Sequence, residues 1–286
     1  MIENKLASTE TVEQKKLSER SLYDSVNMQM NEQEFGQDAI FLNYGYVPTN
    51  EPQYAQAELA PQRRSRNSVK LVLETIGDCA LEGKDVLDVG CGRGGTVATI
   101  KEFFNAATIT GVDLSPNAVK FCQSRHAYDN VRFMEGDAEN LPFPDQSFDV
   151  VTNIESACCY PDAFAFYKQA ARVLRPGGYF LYADIIASEQ LASRLEFLKQ
   201  YFTIERLRDI TRNVVASCDE IAARRFKLIN GFDKERFMAG LERADSDKTY
   251  DTLISQLLCV PGSAKYNKMD DGVETYVIIK LRKQAR

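Results

Sequence analysis

The chain has 286 residues, 44% of them apolar and 27% charged, a composition that fits one large soluble α/β domain carrying an added cap. Its net charge of −6 argues against nucleic acid as the main partner, because phosphate binding favours a basic surface. With His126 as the single histidine, a histidine-rich metal site is excluded, and no metal is expected.

Residues 1–40 are polar, and the segment Met1 to Ser8 carries no apolar leader core. No apolar run approaches the roughly 18 residues of a membrane span, so membrane partners are not expected. Leu17, Leu22 and Val26 are spaced for helices that pack on something else. The aromatic stretch Ile40 to Pro48 follows, and a helix is expected after Pro61, reaching about Ile76. From residue 85 to 210 strands and helices alternate. The strands are read at 85–89, 107–112, 131–134, 148–152, 178–184 and 203–208, and the helices at 94–104, 116–126, 162–174 and 188–200. Short links between them imply a parallel sheet covered on both faces, with ligands at the carboxyl ends of its strands. Beyond 210 helices are expected over 213–230 and 233–244, then a last strand from Thr275 to Leu281. The units are therefore an N-terminal helical lid (1–70), a core (71–210), a helical cap (211–247) and a C-terminal completion of the sheet (248–286). The cysteines, seven and without Cys-x-x-Cys spacing, fit reduced thiols and a cytoplasmic location.

The chemistry concentrates at Asp85-Val-Leu-Asp-Val-Gly-Cys-Gly-Arg-Gly-Gly95, where a strand breaks into glycines and a helix begins. That order brings bare backbone against a nucleotide-like ligand. Gly90-x-Gly92-x-x-Gly95 also satisfies the dinucleotide fingerprint. Asp88 moves the balance: a carboxylate beside the turn repels a pyrophosphate and attracts an ammonium group. Asp113, about 20 residues on, can grip both ribose hydroxyls. In Gly136-Asp137-Ala138, Asp137 can accept from an adenine amino group while Ala138 donates its backbone N–H. The bland alternative for Asp113 and Asp137 is helix capping.

The segments Leu87 to Gly95, Gly111-Val-Asp-Leu-Ser115, Gly136-Asp-Ala138 and Arg172-Val-Leu-Arg-Pro-Gly-Gly178 together resemble the class I S-adenosylmethionine-dependent methyltransferases. The resemblance covers roughly residues 70–210. It implies an α/β, Rossmann-like fold with a seven-stranded, mostly parallel sheet and an antiparallel last strand. S-adenosyl-L-methionine is the implied cofactor and S-adenosyl-L-homocysteine its product. The implied cofactor residues are Tyr44, Asp88, Gly90, Cys91, Gly92, Asp113, Leu114, Asp137, Ala138, Asn153 and Ile154. Phe41-Leu-Asn-Tyr-Gly-Tyr46, Asn153 to Asp162 and Asp209 to Val214 are similar to small-molecule natural-product O-methyltransferases, among them the phthiotriol and phenolphthiocerol methyltransferases. These carry an N-terminal helical lid and a cap before the last strand.

In that pattern a histidine stands where this chain has Cys158, so the family's natural general base is missing. His126, beside Arg125 at a helix end, reads as a surface residue. A phenol or amine loses its proton readily, whereas an aliphatic alcohol needs a base, an effect typically about 10²–10⁴-fold. Glu155, Cys158, Tyr160 and Asp184 are the candidates near the fourth and fifth strand ends. Glu155 is favoured because burial can raise a carboxyl into a useful range. Cys158-Cys159 otherwise read as small apolar filler. Tyr44 and Tyr46 can close over a sulfonium through cation–π attraction or anchor the lid. Arg63, Arg64 and Arg66 form either a solvated face or a dock for a substrate carboxylate or an acidic carrier protein.

The expected activity is methylation of a hydroxyl on a hydrophobic secondary metabolite, because the residues after 210 offer a mainly apolar cap. Transfer to carbon or nitrogen, and a catalytically silent cofactor-binding protein, are the alternatives.

Overall fold

The computed structural model describes residues 11–49, 59–231, 233–235 and 259–285. Short runs rich in β-branched and aromatic residues, each closed by turn formers, become strands. These are β1 (Asp85–Val89), β2 (Thr108–Asp113), β3 (Val131–Glu135), β4 (Phe148–Ile154), β5 (Leu174–Ala187), β6 (Phe202–Asp209) and β7 (Glu274–Lys283). They form one seven-stranded sheet in the order β3-β2-β1-β4-β5-β7-β6. The strands β1 to β5 pair in parallel, and β7 slots antiparallel between β5 and β6, as expected of the last strand.

The helices are α1 (Val12–Glu32), α2 (Arg66–Ile76), α3 (Gly95–Phe103), α4 (Pro116–Arg125), α5 (Ala163–Val173), α6 (Ser188–Leu198), α7 (Thr211–Asn230) and α8 (Ala264–Asp270). Side chains alternate across the sheet, so Val86, Ile109 and Val150 join α2 and α3 in one apolar cluster. Leu87, Val89 and Val151 join α5 in the other. Burying both faces is what lets the strands be nearly continuous apolar runs.

Chain order reverses between β1 and β4, where connections leave to opposite sides and open a crevice at the carboxyl ends. The expected lid–core boundary at residue 70 falls inside α2, whose Leu71, Val72 and Ile76 are fully buried. The helix expected over 233–244 lies beyond residue 235 outside the described residues. Among the described residues no helix is long and apolar enough to cross a membrane.

Candidate active site

A cavity of about 280 Å³ occupies that crevice. Its floor runs from Asp137 and Ala138 after β3, past Asp113 and Leu114 at β2 and Gly90 to Gly92 after β1, to Ile154 and Glu155 at β4 and Ile185 on β5. Lys16, Tyr23 and Met30 of α1, with Leu42 and Tyr44, also line it.

The glycine turn is shaped by its neighbours. Gly92 has a φ of +50°, and a Cβ there would meet only Leu42 Cδ1 at 3.6 Å, so bare backbone faces open space. Its N–H donates to Asp113 Oδ2 at 2.7 Å, while Asp113 Oδ1 accepts from the Ser115 N–H at 2.9 Å. Gly90 is different: a Cβ there would run into Ser156 Oγ and Tyr160 Oη. Its glycine is required by packing within the protein.

Asp88 and Asn153 do not line the cavity; they are buried beneath it. Asp88 Oδ1 accepts from Thr152 Oγ1 at 2.6 Å, and Asn153 Nδ2 donates to the Val89 carbonyl at 2.8 Å. Asp88 Oδ2 and Asn153 Oδ1 are buried with no hydrogen-bond partner. Burial pushes the Asp88 carboxyl up to about 7, and the charge of Asp113 adds to the rise. Asp137 accepts from the Glu139 N–H at 2.9 Å and from Lys16 Nζ at 2.8 Å.

Glu155 follows β4 with a φ of +51°, a left-handed conformation unusual for a residue with a side chain. Both its carboxylate oxygens accept from the Tyr44 N–H, at 2.8 and 2.9 Å. Burial pushes its carboxyl up to about 7 against the opposing pull of Arg225. The Cys159 thiol and burial push the Cys158 thiol well up, and burial does the same to the Tyr160 hydroxyl, which is bonded to Ser156 Oγ at 2.7 Å. Groups held as thiol and phenol at neutral pH make poor proton acceptors, so Glu155 is the one of the three that keeps this capacity. Asp184 lies off the cavity, accepting from the N–H groups of Cys158 and Ile185, each at 2.8 Å.

Two expectations are corrected, and the alternatives for Tyr46 are narrowed. His126 is not on the surface: it is 3% exposed, and its Nε2 meets the Arg93 carbonyl at 3.0 Å. The absent Cβ of Gly94 makes room for its ring. Of the two roles open for Tyr46, burial fits the anchoring one: it does not reach the cavity but lies in the core, its hydroxyl accepting from Arg208 at 3.2 Å. The described part of the cap does not offer an apolar wall either. From α7 the lining residue is Arg225, because Val214 and Cys218 turn into the core. Arg63 and Arg64 pair with Glu102 and Asp38, the behaviour of a solvated face.

Sequence reasoning missed what holds α1 in position. Arg93, fully buried, donates to the carbonyls of Ala39 and Gly36 at 2.7 and 2.8 Å and to Asn31 Oδ1 at 2.7 Å. Its guanidinium sits 3.6 Å above the Phe121 ring. Asp24 accepts from Ser115 Oγ at 2.7 Å and the Asn117 N–H at 3.0 Å. Lys16 bridges Asp137 and Glu139, and Tyr23 meets Cys159 Sγ at 3.0 Å. So α1 and the short turn behind it reach the loop after each of β1, β2, β3 and β4. The Thr11–Gln14 capping box that starts α1 was a readable helix signal, but its polar face gave no clue to partners.

Among the described residues no cluster of three or more His, Cys, Asp or Glu side chains could hold a metal ion.

Residues 87–182 match the family model described as a methyltransferase domain. The chain is 36% identical over 224 residues to a phthiotriol/phenolphthiotriol dimycocerosates methyltransferase of Mycobacterium leprae, covering 72% of this chain and 82% of that one. It is 45% identical over 150 residues to a fatty-acid O-methyltransferase of Mycolicibacterium smegmatis, covering 51% and 53%. The chain thus spans about half the length of that second relative. Its fold is shared with the [4+2]-cyclase SpnF (TM-score 0.64, 21% identity, 94% and 97% covered). It is also shared with an O-methyltransferase region of StiE (TM-score 0.59, 20% identity, 93% and 90% covered).

Proposed function

We propose, for a chain that belongs to the S-adenosylmethionine-dependent methyltransferase family, transfer of a methyl group to a hydroxyl oxygen of a hydrophobic small molecule. The relatives named above act on lipid-like molecules by their names, and a lipid or natural product of that kind is the acceptor class proposed here. Bound S-adenosylmethionine supplies a methyl carbon already activated by its sulfonium, so holding the acceptor in line does much of the remaining work.

The residues fit that cofactor on one physical test. Asp88 Oδ2 and Asn153 Oδ1 are buried polar atoms without partners, on the two strands, β1 and β4, that lead into the cavity. A cationic amino acid moiety above them compensates the negative charge that burial makes costly. Asp113, fixed by the N–H groups of Gly92 and Ser115, has lone pairs left to grip ribose hydroxyls. Asp137 and Ala138 would hold adenine, with Gly90, Cys91, Leu114, Ile154 and Tyr44 shaping the pocket.

The observation that carries the reading is that one cavity joins Gly92 and Asp113 at one end to Glu155 at the other. Tyr44 links the lid segment to Glu155 through its N–H, so the lid and the candidate base that lines the cavity as a carboxyl are set together. The acceptor arrives free or on a carrier; Arg63 and Arg64, already paired, are not assigned to docking it. All seven cysteines are free, which supports a reducing, cytoplasmic setting.

The test is calorimetry followed by product analysis. S-adenosylhomocysteine should bind and a nicotinamide dinucleotide should not. Methyl-labelled S-adenosylmethionine with long-chain hydroxyl and carboxyl compounds should give a product whose fragmentation puts the label on oxygen. Binding of the dinucleotide alone overturns the reading, and a label on carbon or nitrogen moves it to another acceptor class.

A further inference from the structure

The cavity changes its electrostatic character along its length. At the β1 to β3 end its acids are Asp113, Asp137 and Glu139, with Lys16 tied to the last two. At the β4 to β5 end the lining brings in two cations from outside the strands, Arg225 of α7 and Lys265 of α8. Arg225 donates once to the Asn43 carbonyl at 2.8 Å and lies 4.6 Å from the centre of the Tyr44 ring. Among the described residues it has no carboxylate within ion-pair distance. A half-buried guanidinium with donors left over, fixed by a carbonyl and an aromatic face, is an oxyanion receptor in waiting. Lys265 is 3.5 Å from Glu274 Oε2, which makes no hydrogen bond, so this ammonium is only loosely engaged.

Proton accounting points the same way. Transfer joins the acceptor oxygen to the methyl carbon while the carbon–sulfur bond breaks and its electron pair stays on sulfur. An alcohol must also lose its proton to a base; an acid already ionised contributes an oxygen lone pair and releases nothing. The one candidate base on the cavity, Glu155, spends part of its accepting capacity on the Tyr44 N–H, which is shared between its two oxygens. Helices α7 and α8 bring two cations, Arg225 and Lys265, to the same end of the cavity.

We infer that the acceptor enters as an oxyanion, the ionised form of an acidic hydroxyl on an apolar molecule, with Arg225 as its principal contact and Lys265 as the second. This rests on the O-methyl transfer proposed above and narrows its hydroxyl to one acidic enough to ionise on the site. A carboxylic acid and a phenol or enol share that chemistry.

The experiment uses the full chain saturated with S-adenosylhomocysteine, titrated at pH 7.5 with dodecanoate, 4-octylphenol and 1-dodecanol. Expected is at least tenfold tighter binding of the acid or the phenol than of the alcohol, with the preference shrinking below threefold in Arg225→Gln. Preference for dodecanoate alone assigns a carboxylate, and for the phenol a phenolate; either supports the inference. Equal binding of the alcohol overturns it, as does a preference that survives Arg225→Gln. Unchanged S-adenosylhomocysteine affinity and melting temperature in the variant show that the cofactor end and the fold are intact, and Lys265→Gln gives a second, independent reduction. Loss of S-adenosylhomocysteine binding in the wild type would instead strike the methyltransferase reading itself.

Discussion

Asp88 is a carboxyl that burial holds near 7, with one oxygen on Thr152 and the other on nothing. A cation seated at the glycine turn favours its ionised form, so ligand binding must lower its pKa and expel a proton. The sign follows: affinity for S-adenosylmethionine tightens as pH rises toward about 7 and levels above it. Calorimetry at pH 7 in two buffers of different ionisation enthalpy should show proton release of a few tenths per site. Asp88→Asn should abolish most of that release and weaken binding by about tenfold, about 1.4 kcal/mol of through-space attraction. Identical apparent enthalpies in the two buffers would remove Asp88 from the electrostatics of the site. At this scale the sequence was legible where a residue's job is local. The spacing of Asp88, Gly92, Asp113 and Asp137 follows from strand length and turn geometry, and all but Asp88 line one cavity. It was illegible for His126, and for Tyr46 it left two roles open. Whether a lone histidine or tyrosine is buried depends on a void left by a distant residue, as Gly94 leaves one for His126.

Among the elements, the strands between 85 and 209 were readable because β-branched runs and turn formers mark both ends. The structure extends β5 back to Leu174, through Pro176-Gly177-Gly178, whereas the sequence reading starts this strand at residue 178. A register shift opposite, between Phe148 and Val150, absorbs the irregularity. The role of α1 was not readable: its buried face includes Ser18, Ser21, Ser25, Asn27 and Gln29, which carry no apolar periodicity. Its place is set by polar contacts to four separate loops, and Arg93 is the strongest. In Arg93→Met the carbonyls of Gly36 and Ala39 lose their donor inside the protein, a cost of about 2–4 kcal/mol. Hydrogen exchange should speed up through α1 and the melting temperature should fall, with Arg93→Lys intermediate. Unchanged protection of α1 would mean that the guanidinium does not hold it. Lys16 sits nearer solvent, and its bridges to Asp137 and Glu139 are worth about 1 kcal/mol or less. Lys16→Met should therefore speed S-adenosylhomocysteine release by no more than about fivefold in stopped-flow displacement. A far larger effect would make Lys16 a direct ligand contact.

For the whole molecule, the crevice concentrates carboxyls that burial holds above their ordinary range: Asp88 and Glu155 at about 7, with Asp113 and Asp184 also raised. An acid whose folded pKa is raised binds its proton more tightly when folded. Its contribution is fully present below the unfolded value and is lost as pH rises through the folded one. The opposing groups are His126, which burial holds down so that it costs stability as pH falls through its ordinary range, and two carboxyls: Asp85, held down by Thr108 and Arg175, and Asp78, held down by Arg206 and Lys280. Both carboxyls stand partly in solvent, where screening weakens them, and their contributions are lost only on acidification below the ordinary carboxylate range. The ligand-free protein should therefore be most stable on the acid side of neutrality, losing melting temperature as pH rises toward about 7 and levelling off above it. Saturating S-adenosylmethionine should flatten that slope, because a bound cation offsets the charge on Asp88 when it ionises. Replacing Asp88 by Asn should flatten it without ligand. A melting temperature that rises from pH 6 to pH 8 in the ligand-free protein would mean that the crevice carboxylates are already compensated. The glycine turn would then have no electrostatic need for a cation.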